Sequence, residues 1–120
     1  ELTVTIDGAQ HLATGTPFDV VAPHDHAHVL GTGANATPED AKGAVEAALR
    51  AAPAWRELPF DERAAVLLRA ADLLTGPWRD RLNAATMLGQ SKTCHQAEID
   101  AACELADFWR FNVGFAREIH

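Results

Sequence analysis

The feature that most constrains the fold is a long helical pattern near the end of the chain, which places one carboxylate in an apolar stripe. Residues 87–116 read MLGQSKTCHQAEIDAACELADFWRFNVGFA. At about 100° per residue, six of them fall within a narrow sector of one helix face. A carboxylate that faces a core is costly unless a cationic or hydrogen-bonding partner meets it. Glu104 is therefore predicted either to have a structural partner or to line a site. The stripe consists of Ala97, Ala101, Glu104, Phe108, Phe111 and Phe115.

Composition and charge narrow the class of protein. The chain has 120 residues, enough for one domain with a modest core, and 48% hydrophobic and 22% charged residues are typical of a soluble globular protein. The net charge is −7, with no basic cluster, so nucleic acid is not expected as a partner. No apolar run is long enough to cross a bilayer, and no signal peptide is visible. The chain starts at Glu1 and stops at His120 inside a helical pattern, so we expect a segment of a longer protein.

Residues 1–36 predict a region of short strands. Alternating apolar residues precede a two-residue hairpin signal, and two further apolar runs follow on either side of Pro23. The last run is expected to stop at its glycines. The predicted strands are Leu2–Ile6, Phe18–Val21 and His28–Leu30, with a turn at Asp7-Gly8 and a stop at Gly31 and Gly33.

Residues 37–120 predict four helices. Thr37 can cap the first helix, which is expected to end at Pro53. The second begins near Pro59 and stops at Gly76-Pro77. The third runs from Pro77 towards Leu88 with Gly89 as its C-terminal cap, and the fourth begins with the capping box Thr93-x-x-Gln96 and continues at least to Ala116. The apolar positions of the first two helices are Ala41, Val45, Ala48, Leu49 and Ala52, then Ala64, Leu67, Leu68, Ala71 and Leu74.

Several candidate sites are rejected on spacing. Gly89–Thr93 follows a helix and lacks the glycines of a phosphate loop. His24, Asp25, His26 and His28 are possible metal ligands, but only His26 and His28 could share a strand face, and two histidines do not complete a metal shell, so no metal site is predicted. Cys94 and Cys103 would lie about 13.5 Å apart along one helix, too far for a disulfide, and both are expected to be small buried or half-buried residues. No catalytic arrangement can be derived from spacing.

A family resemblance emerges from motifs spread along most of the chain from about Pro17. They are Trp55 with Arg63, Ala70–Leu74, Ala85–Thr93 (ATMLGQSKT), Gln96–Ala101, Phe108–Asn112 and Pro23–His28. Together they resemble the N-terminal part of the aldehyde dehydrogenase superfamily, and within it the family of L-glutamate γ-semialdehyde (1-pyrroline-5-carboxylate) dehydrogenases.

The resemblance implies an α/β fold of the aldehyde dehydrogenase type. Residues 1–36 would be its N-terminal strand region, and residues 37–120 the helical layer of an incomplete NAD-binding domain. It further implies an NAD-dependent enzyme of proline catabolism that oxidises L-glutamate γ-semialdehyde to L-glutamate. The nucleophilic cysteine, the catalytic glutamate and the NAD-binding turn would belong to later segments, so this segment alone is expected to be inactive. The partners would be the rest of the polypeptide, the aldehyde substrate and further copies of the enzyme, in the bacterial cytoplasm or the mitochondrial matrix.

One residue role follows from the resemblance. An acidic residue on the last helix is expected to meet the α-ammonium group of the substrate, and the matching position is Glu104. Asp100 and Asp107 lie about 60° and 80° from the centre of the stripe. Two other interpretations remain open: a non-catalytic helical module that binds a protein through its Phe108–Phe115 face, and the dehydrogenase part of a bifunctional proline-utilisation protein.

Overall fold

The computed structural model describes all residues, 1–120, as two compact units, Glu1–Glu57 and Leu58–His120. Strand gives way to helix close to the predicted position, since the last strand ends at Ala34 and the first helix begins at Pro38. The unit boundary falls later, because the first helix belongs with the strands. That the chain is one incomplete domain of a longer protein stays a prediction.

Two antiparallel hairpins form the strand part of the first unit. Strands β1 (Val4–Ile6) and β2 (Ala9–His11) pair across a tight turn, and β3 (Pro17–Ala22) pairs with β4 (Asp25–Ala34). In the first turn Asp7 has a φ of 54° and Gly8 a φ of 76°. Two consecutive left-handed residues are what a right-twisted two-residue hairpin requires, and the predicted Asp7-Gly8 turn is confirmed.

Strand β4 does not stop at its glycines, so that prediction is wrong. It continues through Gly31 and Gly33 to Ala34, paired with β3. The reason for Gly33 is a close approach rather than a stop: a Cβ atom there would lie 2.8 Å from Cζ of Phe18. The glycine thus leaves room for the aromatic ring of the opposite strand.

Helix α1 (Pro38–Glu57) begins with Thr37 as its cap, as predicted, and the structure adds a return contact from Asp40 that was not predicted. The Asp40 backbone N–H donates to Oγ1 of Thr37 at 3.1 Å, and the Asp40 carboxylate accepts from the Thr37 N–H at 2.8 Å. These hydrogen bonds favour the ionised carboxylate, and the backbone bond from Thr37 is the main reason why the pKa of Asp40 is lowered. His11 of the first hairpin contacts the same carboxylate at 3.4 Å.

Two other expectations about α1 are wrong. Pro53 lies inside the helix, which continues for one more turn because a proline removes only one backbone donor. The apolar face predicted from its spacing is not the buried one: Val45 and Leu49 are exposed, and the buried residue of the helix is Ala47. Within its own unit the helix meets only short strands, which offer too little surface to cover a full stripe.

The second unit begins with helices α2 (Phe60–Thr75) and α3 (Arg79–Gln90). The start of α2 after Pro59 and the break at Gly76-Pro77 are confirmed. Ala64, Ala71 and Leu74 are buried, whereas Leu67 and Leu68 of the predicted stripe are about two-fifths exposed. Gly89 does not cap α3. The helix runs on to Gln90 and ends at Ser91, which takes the left-handed conformation with a φ of 55°.

The last helix is continuous over residues 94–119 and has three parts. They are α4 (Cys94–Ala97), a π-helical segment (Glu98–Glu104) and α5 (Leu105–Ile119). The capping box at its start is confirmed: Oγ1 of Thr93 accepts from the Gln96 N–H at 3.2 Å, and Oε1 of Gln96 accepts from the Thr93 N–H at 3.0 Å. None of the helices is both long and apolar enough to span a membrane.

Candidate functional site

The π segment changes which residues of the last helix face the core of its unit. The buried positions are Ala97, Ala102, Ala106 and Val113. The first step in this series is five residues, where an uninterrupted α-helix would place the next buried residue after three or four. One extra residue is thus accommodated in the wider π turn, and everything after it is rotated by about 100° relative to a regular helix.

Because of this rotation, the apolar stripe expected from regular helical spacing is wrong in its first half. Ala97 is buried and Ala101 half-buried, but Glu104 lies on the exposed side of the helix. Its three aromatic neighbours lie there too: Phe108, Phe111 and Phe115 are 57%, 60% and 57% exposed. The prediction that these four residues share one face of the last helix is confirmed. We call this face, Glu104 with Phe108, Phe111 and Phe115, the open face.

Glu104 is an acidic side chain without a partner inside the chain. No hydrogen bond or ion pair involves it, and it is exposed. Asp100, by contrast, pairs with Lys92 and is half-buried. Asp107 is also exposed and unpaired, but it lies about 60° around α5 from Glu104 and therefore off the open face. Glu104 is thus an exposed carboxylate on the open face that can pair with a cation from outside the chain.

A polar network holds the π segment against α3. Glu98, the first residue of the segment, accepts from Nδ2 of Asn83 at 2.6 Å and from Nε of Arg79 at 3.2 Å, both at Oε2. Nη2 of Arg79 donates to the other carboxylate oxygen, Oε1. Asn83 is 9% exposed, the one buried polar residue of the chain. We call Arg79, Asn83 and Glu98 the Glu98 network.

Sequence reasoning missed this network. Arg79 and Asn83 are four residues apart and therefore share a face of α3, which is a readable signal for a joint polar partner. Their partner could not be found in the same way, because regular helical spacing gives the wrong rotation for residues on either side of the π segment.

The two cysteines are both free and both exposed, so the expectation of buried or half-buried residues is wrong. Cys103 lies at the edge of the Glu98 network, with its Sγ 3.8 Å from Nη2 of Arg79 and from Oε1 of Glu98. The rotation that brings Ala102 into the core turns its neighbour Cys103 outwards.

His26 and His28 lie on β4 with exposed side chains. No group of three or more histidine, cysteine or acidic side chains in the chain is placed to hold a metal ion. Phosphate-loop geometry is also missing at Gly89–Thr93, where Ser91 ends one helix and Thr93 caps the next.

This architecture matches a known class of enzyme. The sequence pattern of the aldehyde dehydrogenase family matches residues 11–120, and the chain belongs to that family. The α/β fold of the aldehyde dehydrogenase type, with four helices after short strands, is thereby confirmed.

Among its relatives, delta-1-pyrroline-5-carboxylate dehydrogenases recur. The chain is 51% identical over 120 residues to such an enzyme from Agaricus bisporus, covering 100% of this chain and 22% of the relative. Its sequence is 64% identical to that of the enzyme from Mycobacterium tuberculosis, whose crystal structure it matches with a TM-score of 0.93. The match covers 96% of this chain and 21% of the mycobacterial one. The same mycobacterial protein has been solved bound with NAD.

A further solved structure is more distant in sequence. Proline utilization A (PutA) from Bdellovibrio bacteriovorus is 30% identical, with a TM-score of 0.87 over 97% of this chain and 12% of that protein. The chain thus spans about a fifth of the length of the dehydrogenases that it matches, and a smaller share of PutA.

Proposed function

We propose that this chain is part of an NAD-dependent enzyme that oxidises L-glutamate γ-semialdehyde, formed from 1-pyrroline-5-carboxylate, to L-glutamate in proline catabolism. The similarity to the mycobacterial enzyme over nearly the whole chain supports this activity. The single observation within the chain that carries it is the unpaired Glu104 on the open face.

Glu104 is proposed to bind the α-ammonium group of the substrate. This group distinguishes an amino-acid aldehyde from a plain aliphatic aldehyde. A carboxylate without an internal partner, placed beside aromatic rings, can pair with a cation that arrives from outside the chain. Charge-assisted hydrogen bonds of this kind typically contribute about 1.5–3 kcal/mol. Glu104 would thus select the substrate, while the covalent chemistry takes place on residues outside this chain.

NAD would be bound by other parts of the enzyme. A dinucleotide site of the usual type needs a parallel βαβ unit with a glycine-rich turn, and all four strands here lie in antiparallel hairpins. The residues present therefore do not fit the cofactor, and we assign none of them to it. The enzyme is expected to form homo-oligomers, and to be cytoplasmic in a bacterium or located in the mitochondrial matrix of a eukaryote. The names of the relatives from Dictyostelium discoideum and Homo sapiens, which are mitochondrial, support the second location.

A bifunctional parent is the second candidate, favoured by the match to PutA. It would carry the same dehydrogenase activity and the same role for Glu104, with a proline dehydrogenase part encoded upstream. The coding sequence on both sides of this chain distinguishes the two. A non-catalytic module that binds a protein through the Phe108–Phe115 face would instead end in a natural stop codon after His120.

The proposed role is tested by replacing Glu104 with Gln in the full-length enzyme. We expect the ratio of kcat/KM for the amino-acid aldehyde to kcat/KM for a plain aldehyde such as butanal to fall by roughly 10- to 150-fold. The matched control is Asp107→Asn, which neutralises an exposed carboxylate three residues along the same helix. It should leave the ratio unchanged.

A purely structural role gives a different outcome. If Glu104→Gln lowers the melting temperature and reduces both activities equally, the ratio stays constant and the substrate-binding assignment is wrong. A separate expectation concerns the isolated 120-residue segment, which should show no dehydrogenase activity and no heat of NAD binding in calorimetry. Micromolar NAD binding by the segment would contradict the assignment of the cofactor site to other parts of the enzyme.

A further inference from the structure

The position of Glu104 depends on the π segment, and the π segment depends on contacts that its own backbone does not provide. A π turn is rare and occurs mostly as a single turn inside an α-helix. Its seven residues include two alanines, Ala101 and Ala102, and alanine suits a regular α-helix better than any other residue. Something outside the segment must hold the extra residue in place.

The Glu98 network is placed to do this. Glu98 is the first residue of the π segment, and its two carboxylate oxygens are held by Asn83 and Arg79 of α3. If the segment relaxed to a regular helix, the residues before and after it would rotate by about 100° relative to one another. Either Glu98 would leave its buried partner, or Ala102 and Ala106 would leave the core.

Burial makes the first of these changes costly. Asn83 is 9% exposed, and its Oδ1 already lacks a hydrogen-bond partner. Its Nδ2 donates to Glu98 alone, so losing Glu98 would leave the amide without any partner inside the protein. The network therefore opposes the rotation that would carry Glu104 from the open face towards the core face.

We propose that Asn83, Arg79 and Glu98 are positioning residues for substrate recognition: they hold the π segment and thereby keep Glu104 directed towards the substrate's ammonium group. This inference rests on the proposed role of Glu104. Asn83 and Arg79 belong to α3, and Glu98 lies six residues before Glu104, so none of them needs to touch the substrate. Their contribution would be to geometry, to which charge-assisted contacts are sensitive.

The test is a double-mutant cycle in the full-length enzyme, with the kcat/KM ratio for glutamate γ-semialdehyde over butanal as the readout. The variants are Asn83→Ala, Glu104→Gln and the two combined. We expect Asn83→Ala to lower the ratio by roughly 3- to 10-fold, less than Glu104→Gln, because a misplaced carboxylate still attracts the ammonium group. The double variant should have the same ratio as Glu104→Gln alone, since a positioning residue has nothing left to position.

Loss of stability alone would not produce this pattern. Arg117→Gln is the matched control, because it removes an ion pair from α5 to Asp61 of α2 without touching the π segment. It should leave the ratio unchanged whatever happens to the melting temperature. If Asn83→Ala does not yield folded enzyme, Glu98→Gln is expected to lower the ratio in the same way. The Gln side chain has one acceptor oxygen, whereas the carboxylate of Glu98 accepts hydrogen bonds at both of its oxygens.

The two hypotheses fail in different ways. An unchanged ratio in Glu104→Gln removes the proposed role of Glu104. A lowered ratio in Glu104→Gln with an unchanged ratio in Asn83→Ala keeps that role and overturns the positioning inference. Effects that multiply in the double variant would also overturn it, because Asn83 would then act independently of Glu104.

Discussion

The two faces of the last helix differ in the size of their side chains and in how far those side chains are buried. The packed face consists of small residues, Ala97, Ala102, Ala106 and Val113, which let α5 approach its neighbours within the unit. The open face carries Glu104 and three phenylalanines that are each more than half exposed. The packed face is buried within this chain, whereas the side chains of the open face stay largely exposed in it.

The boundary between the faces is set by the π segment rather than by the order of apolar residues. A regular helix through residues 94–119 would bring Glu104 to the core with Ala97 and Ala101. With the extra residue, the alanines of the helix face the core, and Glu104 and the phenylalanines face outwards. In this helix a departure from regular geometry separates the residues that stabilise the unit from those assigned to substrate recognition.

The largest effect should come from removing a ring of the open face. We expect Phe111→Ala in the full-length enzyme to destabilise it by about 3–5 kcal/mol, because the rest of the polypeptide is expected to cover this face. The measurement is the apparent melting temperature, which should fall by roughly 5 °C or more. The control is Asn112→Ala, an exposed polar neighbour on the same helix. If both variants melt alike, the open face is not covered.

A smaller effect is expected from overfilling the packed face. Ala102 is fully buried, and Ala102→Leu should cost about 1–3 kcal/mol because the added atoms have no space. The same change of size at its exposed neighbour, Cys103→Leu, should cost less, because the added atoms can extend into solvent. Melting curves of the two variants compare adjacent positions on opposite sides of the helix. Equal losses would contradict the rotation assigned to the π segment.

The smallest effect lies outside the last helix, at the cap of α1. The lowered pKa of Asp40 means that its ionised form is favoured by folding. Its contribution to stability is present at neutral pH and is lost as the pH falls through the lowered pKa. Asp40→Asn should therefore be less stable than the parent at neutral pH, and urea titrations should show the difference vanishing in strong acid, below the lowered pKa of Asp40. A stability difference that persists in strong acid would show that the cap is not its origin. The kcat/KM ratio for the amino-acid aldehyde over butanal should be the same in both proteins.

Most of the local structure follows from short-range signals. The Asp7-Gly8 turn, the caps at Thr37 and Thr93 and the break at Gly76-Pro77 are each determined by a few neighbouring residues, and each was predicted correctly. The predicted ends at Gly31, Gly33, Gly89 and Pro53 are wrong, because the strand or helix continues past each of these residues. In those cases pairing or continued helix outweighs the preference of a single residue.

The candidate site could be predicted only in part. Regular spacing singled out Glu104 and grouped it correctly with Phe108, Phe111 and Phe115, because all four lie in or next to α5. It failed across the π segment, since one extra residue in a turn leaves no mark on the sequence. The same failure concealed the Glu98 network, whose partners come from two helices whose relative rotation depends on that segment.

The central claim is that the π segment presents Glu104 to the ammonium group of the substrate. A crystal structure of the full-length enzyme with L-glutamate bound tests it most directly. We expect a carboxylate oxygen of Glu104 about 2.7–3.2 Å from the α-nitrogen of the ligand, with residues 98–104 still in π-helical geometry. The account would be contradicted if Glu104 were instead paired with an arginine or lysine of the protein while another acidic residue contacted the ligand nitrogen.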